Sequence, residues 1–341
     1  MLRQIIHRTE EAQRLNQELI RKLEKEKRDH FSGEDKSYTV WQEEMQDIIR
    51  NLKKYNVTGV RGSSIHLDNG EWIDHHIVGY YAPVDFCGTG YNCRQISAVE
   101  QIVETANQFA RHGVRFVYAP LPCKLAVYPE YALDKRLIPK DEIITPQWRK
   151  MIYDIACKGV EIVDLFPVLR EQKRTLKMFS DRHSLSSSGC EIVGKAIAEY
   201  LKETTTFDNL DICLQLELEY AKNSNGKGCI LLNNNGKRSP YLGKERSSEI
   251  AIFGDCNLQA NRGLSCDVTS FLAYHTNYPV NYVGRLLPFC AVDSICKARP
   301  KTFKKGGIAI YLGFPSAAYV RPIAEQKEFW CTKEIPEQAF Y

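Results

Sequence analysis

The amino-acid sequence predicts an α/β fold built on a mostly parallel, doubly wound sheet of five strands. Two observations support this prediction. Five short apolar runs alternate with helical patterns. One of these runs, residues 250–253, ends abruptly in Gly254-Asp255-Cys256. An apolar run closed by glycine and a polar tip is typical of a buried parallel strand, and ligands bind at the carboxyl ends of such strands. The tip is therefore expected to lie at a functional edge of the sheet.

The composition is that of an ordinary folded protein. The chain has 341 residues, 43% of them hydrophobic and 26% charged, with a formal net charge of +4. This length suits one large α/β domain with appendages, and so mild a charge does not indicate a nucleic-acid partner. No apolar stretch approaches the roughly 20 residues of a membrane span. The N-terminus, M-L-R-Q-I-I-H-R, lacks the apolar core of a signal peptide, so we expect a soluble chain without a secretion address.

The cysteine and histidine patterns do not indicate a metal site or another cofactor. The closest pairs among the twelve cysteines, Cys87/Cys93 and Cys290/Cys296, have five residues between them, which is poor spacing for zinc ligands. His75 and His76 are adjacent, and adjacent residues on a strand point to opposite faces. We predict mostly buried, reduced thiols, which favours a reducing compartment.

The N-terminal region is predicted to be helical. Residues 1–31 carry apolar residues at three- and four-residue spacing among Glu, Lys and Arg, which indicates an amphipathic helix. Such a helix either binds a protein partner or a second copy of the chain, or it lies on the domain as a solvated helix. A second helix is predicted at 38–55, which makes residues 1–54 a helical segment. Residues 55–341 would then form the α/β domain, with an irregular insertion at about 204–247.

The α/β pattern is regular from residue 97 onward, after short strands and turns at 57–81. Ser97 and Glu100 form a capping box at the first helix of this region. Two turn sequences predict a hairpin around 229–232, inside the insertion. The predicted helices cover residues 97–112, 147–158, 186–200 and 267–277. The predicted strands cover residues 114–119, 160–165, 248–253, 280–283 and 307–312.

Two segments carry residues suited to catalysis. Asp181-x-His183 precedes a predicted helix, and a carboxylate two residues before a histidine can fix the tautomer of the imidazole. The same aspartate also suits a helix cap. Cys256 supplies a thiol at the polar strand tip, although a cysteine next to an apolar run is often a packing residue. A thiol beside a histidine would have a lowered pKa and could act as a nucleophile.

The order of these motifs resembles the SGNH hydrolase superfamily, in particular its circularly permuted alginate O-acetyltransferase group (AlgJ/AlgX-like). In that group the Asp-x-His motif precedes the Gly-Asp-nucleophile block, as it does here. Two further stretches are similar to family segments. They are V-R-G at 60–62 before L-D-N-G at 67–70, and Y-A-P-L-P-C-K at 118–124 with V-Y-P at 127–129. The resemblance spans roughly residues 57 to 320.

This resemblance implies a three-layer α/β/α sandwich of flavodoxin-like type and a Cys256-His183-Asp181 triad without a cofactor. The nucleophile would accept an acetyl group from a small-molecule donor and pass it to a carbohydrate hydroxyl or to water. The amides of Cys256 and Gly284 would stabilise the oxyanion. Lys124, Tyr128 and Asn257 would contact the substrate. Relatives of this kind act outside the cytoplasm, in contrast to the compartment that the cysteine pattern favours.

The sequence also departs from the family pattern in three places. Cys256 stands where the family has serine, Ser184 stands where an aromatic residue follows the family's histidine, and Gly313-Phe314-Pro315-Ser316 replaces a Gly-x-Asn-Asp block. A second hypothesis is therefore a catalytically inactive relative that keeps the fold and binds a carbohydrate or a protein.

Overall fold

The secondary structure alternates helices and strands along most of the chain. The computed structural model describes residues 5–30, 57–61, 64–67, 69–74, 98–144, 146–180, 184–207, 215–220, 228–234, 236–244, 246, 248–285, 292–298 and 301–313. Its helices are α1 (Thr9–His30), α2 (Ala98–Arg111), α3 (Lys124–Val127), α4 (Pro146–Cys157), α5 (Leu165–Gln172), α6 (Ser187–Thr204), α7 (Val268–Thr276) and α8 (Val292–Ala298). Its strands are β1 (Ile5–His7), β2 (Val57–Arg61), β3 (Ser64–Leu67), β4 (Trp72–Asp74), β5 (Arg115–Pro120), β6 (Glu161–Ile162), β7 (Thr205–Phe207), β8 (Leu216–Tyr220), β9 (Gly228–Asn234), β10 (Lys237–Pro240), β11 (Ile250–Gly254), β12 (Val280–Arg285) and β13 (Ile308–Gly313).

The five predicted strands form one parallel sheet in the order β12-β11-β13-β5-β6. The predicted α/β class with a five-stranded parallel sheet is confirmed. Strand β6 is shorter than the predicted 160–165, because Asp164 leaves the sheet to cap α5. Its carboxylate accepts a hydrogen bond from the amide of Phe166 at 3.4 Å.

The carboxyl ends of three neighbouring strands lie side by side. Gly254 at the end of β11 pairs with Leu312 in β13, and Gly313 at the end of β13 pairs with Pro120 in β5. A Cβ atom on Gly254 would lie 1.8 Å from the carbonyl oxygen of Leu312, so only glycine fits at this position. The close approach fixes where the polar tip that follows Gly254 leaves the sheet.

The N-terminal helix α1 packs on the α/β domain. It contacts α4, with Ala12 and Leu23 buried. Glu26 at its C-terminal end pairs with the buried Arg149, whose guanidinium also holds Asp164, with N–O distances of 2.7 and 2.8 Å. The helix therefore lies on the domain, which was one of the two predicted arrangements. Binding of a protein partner through α1 stays a prediction, and the predicted helix at 38–55 lies outside the described residues.

The two segments predicted to be irregular or rich in turns contain small antiparallel sheets. Strands β8, β9 and β10 pair within the insertion, and the predicted hairpin is confirmed as β9–β10. Strands β2, β3 and β4 form a second three-stranded sheet. Short strands and turns were expected at 57–81, and both sheets form by pairing of strands adjacent in the sequence.

Two further predictions concern features that the structure tests only in part. Among the helices that the structure describes, none has both the length and the apolar composition needed to cross a membrane. The described residues contain no group of three or more His, Cys, Asp or Glu side chains suited to holding a metal ion. The adjacent histidines His75 and His76 lie outside these residues, as does the capping residue Ser97.

Candidate active site at the carboxyl edge of the sheet

The polar tip turns directly from β11 into a 3₁₀ helix, Cys256–Gln259. Asp255 caps this helix, since its Oδ1 accepts hydrogen bonds from the amide of Asn257 at 2.8 Å and from Asn257 Nδ2 at 3.2 Å. The backbone of Cys256 is thereby held two residues after the end of β11, at the first position of the 3₁₀ helix. Its side chain lies outside the described part of the structure.

Asn257 ties the tip to the segment that follows His183. Its side chain is fully buried, and its Oδ1 accepts a hydrogen bond from the amide of Leu185 at 3.2 Å. The carbonyl of Leu185 in turn accepts a bond from Asn261 Nδ2 at 3.1 Å. Asn257 was predicted to contact the substrate, but its amide group is engaged by protein groups on both sides. The structure favours a positioning role for this residue.

Lys124 holds the segment that precedes Asp181. Its Nζ donates a hydrogen bond to the carbonyl of Ser180 at 2.9 Å and forms an ion pair with Glu71. The lysine side chain is only 2% exposed, and Glu71 also pairs with Lys177 at 2.8 Å. A buried ammonium requires such partners, because an unpaired buried charge costs several kcal/mol. The predicted substrate contact is therefore a buried group that anchors neighbouring backbone.

The two anchored segments also bind each other. The amide of Ser180 donates to the carbonyl of Ser184 at 2.8 Å, and Phe179 and Leu185 form an antiparallel bridge. Asp181 and His183, the predicted triad members, lie between these anchors in sequence but outside the described residues. The structure thus shows where the chain enters and leaves the Asp-x-His motif, next to the strand tip that carries Cys256.

Tyr128, the residue directly after α3, binds the same segment. Its hydroxyl accepts a bond from the amide of Met178 at 2.9 Å and donates to the carbonyl of Leu176 at 3.2 Å. Its ring packs edge-to-face on Phe179 with centroids 6.4 Å apart. Burial raises the pKa of Tyr128 to about 12, so the phenol is neutral at physiological pH. Like Lys124, this predicted substrate contact is bound to the chain leading to Asp181.

Gly284 lies in β12 beside the end of β11. It pairs with Phe253, immediately after an irregularity in the register between the two strands. Its φ of 106° belongs to the region that favours glycine. Gly284 thus lies beside Phe253, the residue before Gly254 at the end of β11. The role of its amide in stabilising an oxyanion stays a prediction.

One residue of this site, Glu71, was missed by sequence reasoning. It follows Gly70 in the turn between β3 and β4, and a carboxylate after a turn glycine carries no functional signal of its own. Its importance comes from the ion pairs with Lys124 and Lys177, which lie 53 and 106 positions away in the chain. Only the folded structure brings these charges together.

One family resembles part of the chain. The family described as SGNH hydrolase-like domain, acetyltransferase AlgX, matches residues 94–228. This confirms, over that segment, the resemblance predicted from the motifs. The matched segment includes Lys124, Tyr128, Asp181 and His183, whereas Cys256 lies beyond it. No curated protein sequence matches the chain.

Solved structures similar to this chain are distant in sequence. The O-acetyltransferase domain of Pseudomonas putida AlgJ has 13% identity and a TM-score of 0.49, over 80% of this chain and 99% of that domain. Pseudomonas aeruginosa AlgX has 15% identity and a TM-score of 0.47, over 70% of this chain and 62% of AlgX. Bacillus cereus PatB1 with a sulfonyl adduct has 11% identity and a TM-score of 0.41, over 76% and 95% of the two chains. At these values the structural likeness carries no argument about this chain, and the family match covers residues 94–228.

Proposed function

We propose that this chain, which carries an SGNH hydrolase-like acetyltransferase segment at residues 94–228, transfers acetyl groups through a covalent intermediate on Cys256. The acceptor in this proposal is a carbohydrate hydroxyl, with water as the acceptor in an esterase reaction. The observation that carries the proposal is the pair of anchors around the Asp-x-His motif. One of them is the bond from Leu185, two residues after the motif, to Asn257, which follows Cys256 at the strand tip.

Chain geometry supports a short distance between the proposed catalytic residues. Leu185 binds the side chain of Asn257, the residue next to Cys256. His183 is two residues before Leu185, and two residues span at most about 7 Å of chain. On the other side, Lys124 fixes Ser180, the residue next to Asp181. These tethers support the proposal that His183 lies near the tip, where an Asp-x-His turn could orient its ring toward a thiol.

The proposed reaction proceeds in two steps, each with a proton transfer through His183. In the first step, His183 removes the proton of the Cys256 thiol, and the thiolate attacks the carbonyl carbon of an acetyl ester. The bond to the donor oxygen breaks, and the protonated His183 returns the proton to the departing alcohol. In the second step, His183 deprotonates an acceptor hydroxyl, which attacks the thioester and releases Cys256 as the thiol. Asp181 orients His183 and stabilises its charged form throughout.

Covalent labelling tests this proposal directly. Incubation with an activated acetyl ester near neutral pH is expected to add one acetyl group to Cys256, detected by peptide mass. The label is expected to be lost in His183→Ala, because the thiol then has no base to activate it. Cys157→Ser is a matched control, since Cys157 is an exposed free thiol whose removal leaves labelling of Cys256 unchanged. Equal labelling of Cys256 with and without His183 would contradict the proposed acyl-enzyme and favour the inactive relative.

Replacing Asn257 with alanine is expected to reduce both stability and acetyl transfer. The change leaves the amide of Leu185 buried without the partner that Asn257 supplies, at a cost of about 1–3 kcal/mol. It also frees the segment carrying His183 from the strand tip, so kcat is expected to fall more than KM rises. Denaturant unfolding and steady-state kinetics measure the two effects.

Asn16→Ala provides the control for this prediction. Asn16 Nδ2 donates to the carbonyl of Ala156 at 3.1 Å, in the interface between α1 and α4. Its removal is expected to lower stability while leaving kcat unchanged. If Asn257→Ala also left kcat unchanged, Asn257 would have no role in positioning His183.

A further inference from the structure

A cavity of about 350 Å³ is lined by residues of the segment 130–142 and by the two residues that follow α5. Four cationic side chains line it, namely Lys135, Lys140, Lys173 and Arg174. Lys173 Nζ donates to the carbonyl of Val127, the last residue of α3, at 2.9 Å. Lys124, the first residue of the same helix, holds Ser180 at the candidate active site. The cavity and the candidate site therefore contact opposite ends of α3.

One buried lysine pairs with both acidic residues of the cavity. Lys173 pairs with Glu130 and Glu142, each at 3.0 Å, and its side chain is only 7% exposed. Arg170 contributes a second contact to Glu142 at 3.5 Å. Burial opposes ionisation of Glu142, yet its hydrogen bond to Lys173 and the surrounding positive charge lower its pKa. Both carboxylates thus hold Lys173, and the four cations of the lining still exceed them by two charges.

The loop that carries two of these cations is held in a defined shape. Glu142 has a φ of 58°, in the left-handed region that is uncommon for a residue other than glycine. The Asp134 carboxylate caps the 3₁₀ helix Lys135–Leu137 by accepting from the amide of Arg136 at 2.9 Å. An ion-paired residue in a sparsely populated backbone conformation is often found where a loop clamps a ligand.

We propose that this cavity binds a small molecule carrying a phosphomonoester. The six charged lining residues comprise four cations and two carboxylates, which leaves an excess of two positive charges. A phosphomonoester carries about −1.5 to −2 charges at neutral pH and matches this excess, whereas a single carboxylate would leave one cation uncompensated. Lysine ammonium groups and an arginine guanidinium are the usual protein partners of phosphate. Ile138 and Pro139 form an apolar part of the wall, which suits the carbon body of the ligand.

Direct binding measurements on the full chain test this proposal without reference to acetyl transfer. Glucose 6-phosphate and inorganic phosphate are the probes, titrated calorimetrically at an ionic strength of about 0.15 M, at which exposed charges are screened beyond about 8 Å. Saturable binding of glucose 6-phosphate is expected. Lys140→Gln and Arg174→Gln, which alter exposed residues, are each expected to weaken it at least tenfold while thermal unfolding stays unchanged. If inorganic phosphate binds more weakly than glucose 6-phosphate, the difference would support a contribution from the apolar wall.

Arg136→Gln is the matched control. Arg136 is adjacent to Lys135 and 82% exposed, pairs with Asp134, and does not line the cavity. Its removal subtracts the same charge from the same loop. The affinity for glucose 6-phosphate is expected to stay within about twofold of the wild-type value. Equal weakening by Arg136→Gln and Lys140→Gln would show general attraction to a basic surface and overturn the proposal. Absence of saturable binding, or tighter binding of glucuronate than of glucose 6-phosphate, would overturn it as well.

Discussion

Replacing Cys256 with alanine is expected to lower kcat/KM for acetyl transfer at least about 10³-fold, because loss of the nucleophile removes the covalent route and leaves only binding and oxyanion stabilisation. Cys256→Ser is expected to keep part of the activity, since a hydroxyl beside a histidine base is also a nucleophile. Steady-state kinetics with an acetyl ester and a carbohydrate acceptor measure both variants.

The control for this prediction is Cys157→Ala, which removes an exposed thiol away from the strand tip and should leave kcat/KM unchanged. Cys190→Ala is less suitable, because Cys190 is buried in the core, where loss of a side chain perturbs stability. Unchanged activity in a folded Cys256→Ala variant would refute the nucleophile assignment. It would also refute the covalent route through Cys256, whatever reaction the chain performs.

Replacing Arg149 with methionine is expected to destabilise the protein by roughly 3–5 kcal/mol, because it leaves two carboxylates without the cation that holds them in the interior. The side chain of Arg149 is 3% exposed, and it pairs with Glu26 in α1 and with Asp164 at the start of α5. The loss is therefore expected to loosen α1 from the α/β domain. Denaturant unfolding measures the free-energy change, and amide exchange in α1 reports its detachment.

The same variant has a predicted pH dependence. Burial opposes ionisation of Asp164, but the charge and hydrogen bonds of Arg149 hold its pKa below the usual value. A lowered pKa stabilises the wild-type protein above the unfolded-state value of about 3.9, and this stabilisation is lost as pH falls below it. Without Arg149, only Lys22 and the amide of Phe166 still oppose the effect of burial, so the pKa of Asp164 is expected to rise. Protonation of Asp164 then removes an incompletely paired buried charge and stabilises the variant. The stability difference is therefore expected to shrink as the pH falls from 7 toward 4.

A difference that stays constant or grows on acidification would show that Arg149 stabilises the protein by packing rather than by charge. Arg136→Met supplies the exposed comparison. Arg136 pairs with Asp134, two residues before it, at 3.0 Å and is 82% exposed. Since exposed ion pairs contribute little, its loss is expected to leave the free energy of unfolding nearly unchanged.

The strands of the parallel sheet were predictable because their signal is local. Each is an apolar run bounded by a glycine or a polar residue, and segments with helical periodicity lie between the runs. The abrupt change at Gly254 also located the end of β11 correctly. The predicted strand 160–165 was longer than β6, because Asp164 fits the alternating pattern of a strand but caps α5. A side chain that stabilises the next element cannot be distinguished from a strand residue by pattern alone.

The contacts of the residues that support the candidate site were not predictable. Lys124, Tyr128 and Asn257 were predicted as substrate contacts, and the structure shows that each bonds to a protein group. Their direction was not predictable, because a sequence does not show whether an amide or ammonium points to solvent or to buried backbone. The partners that decide this, Ser180 and Leu185, are 56 and 72 positions away from Lys124 and Asn257, respectively.

The central claim is that Cys256 and His183 act together as nucleophile and base in one site, and the distance between them tests it most directly. An experimental structure of the chain with an acetylated or otherwise trapped Cys256 would measure the separation of Cys256 Sγ from the nearer ring nitrogen of His183. We expect hydrogen-bond reach, with the looser geometry of about 4 Å in the absence of a ligand. A histidine ring turned away from the tip, or lying on the opposite face of the sheet, would contradict the proposed triad.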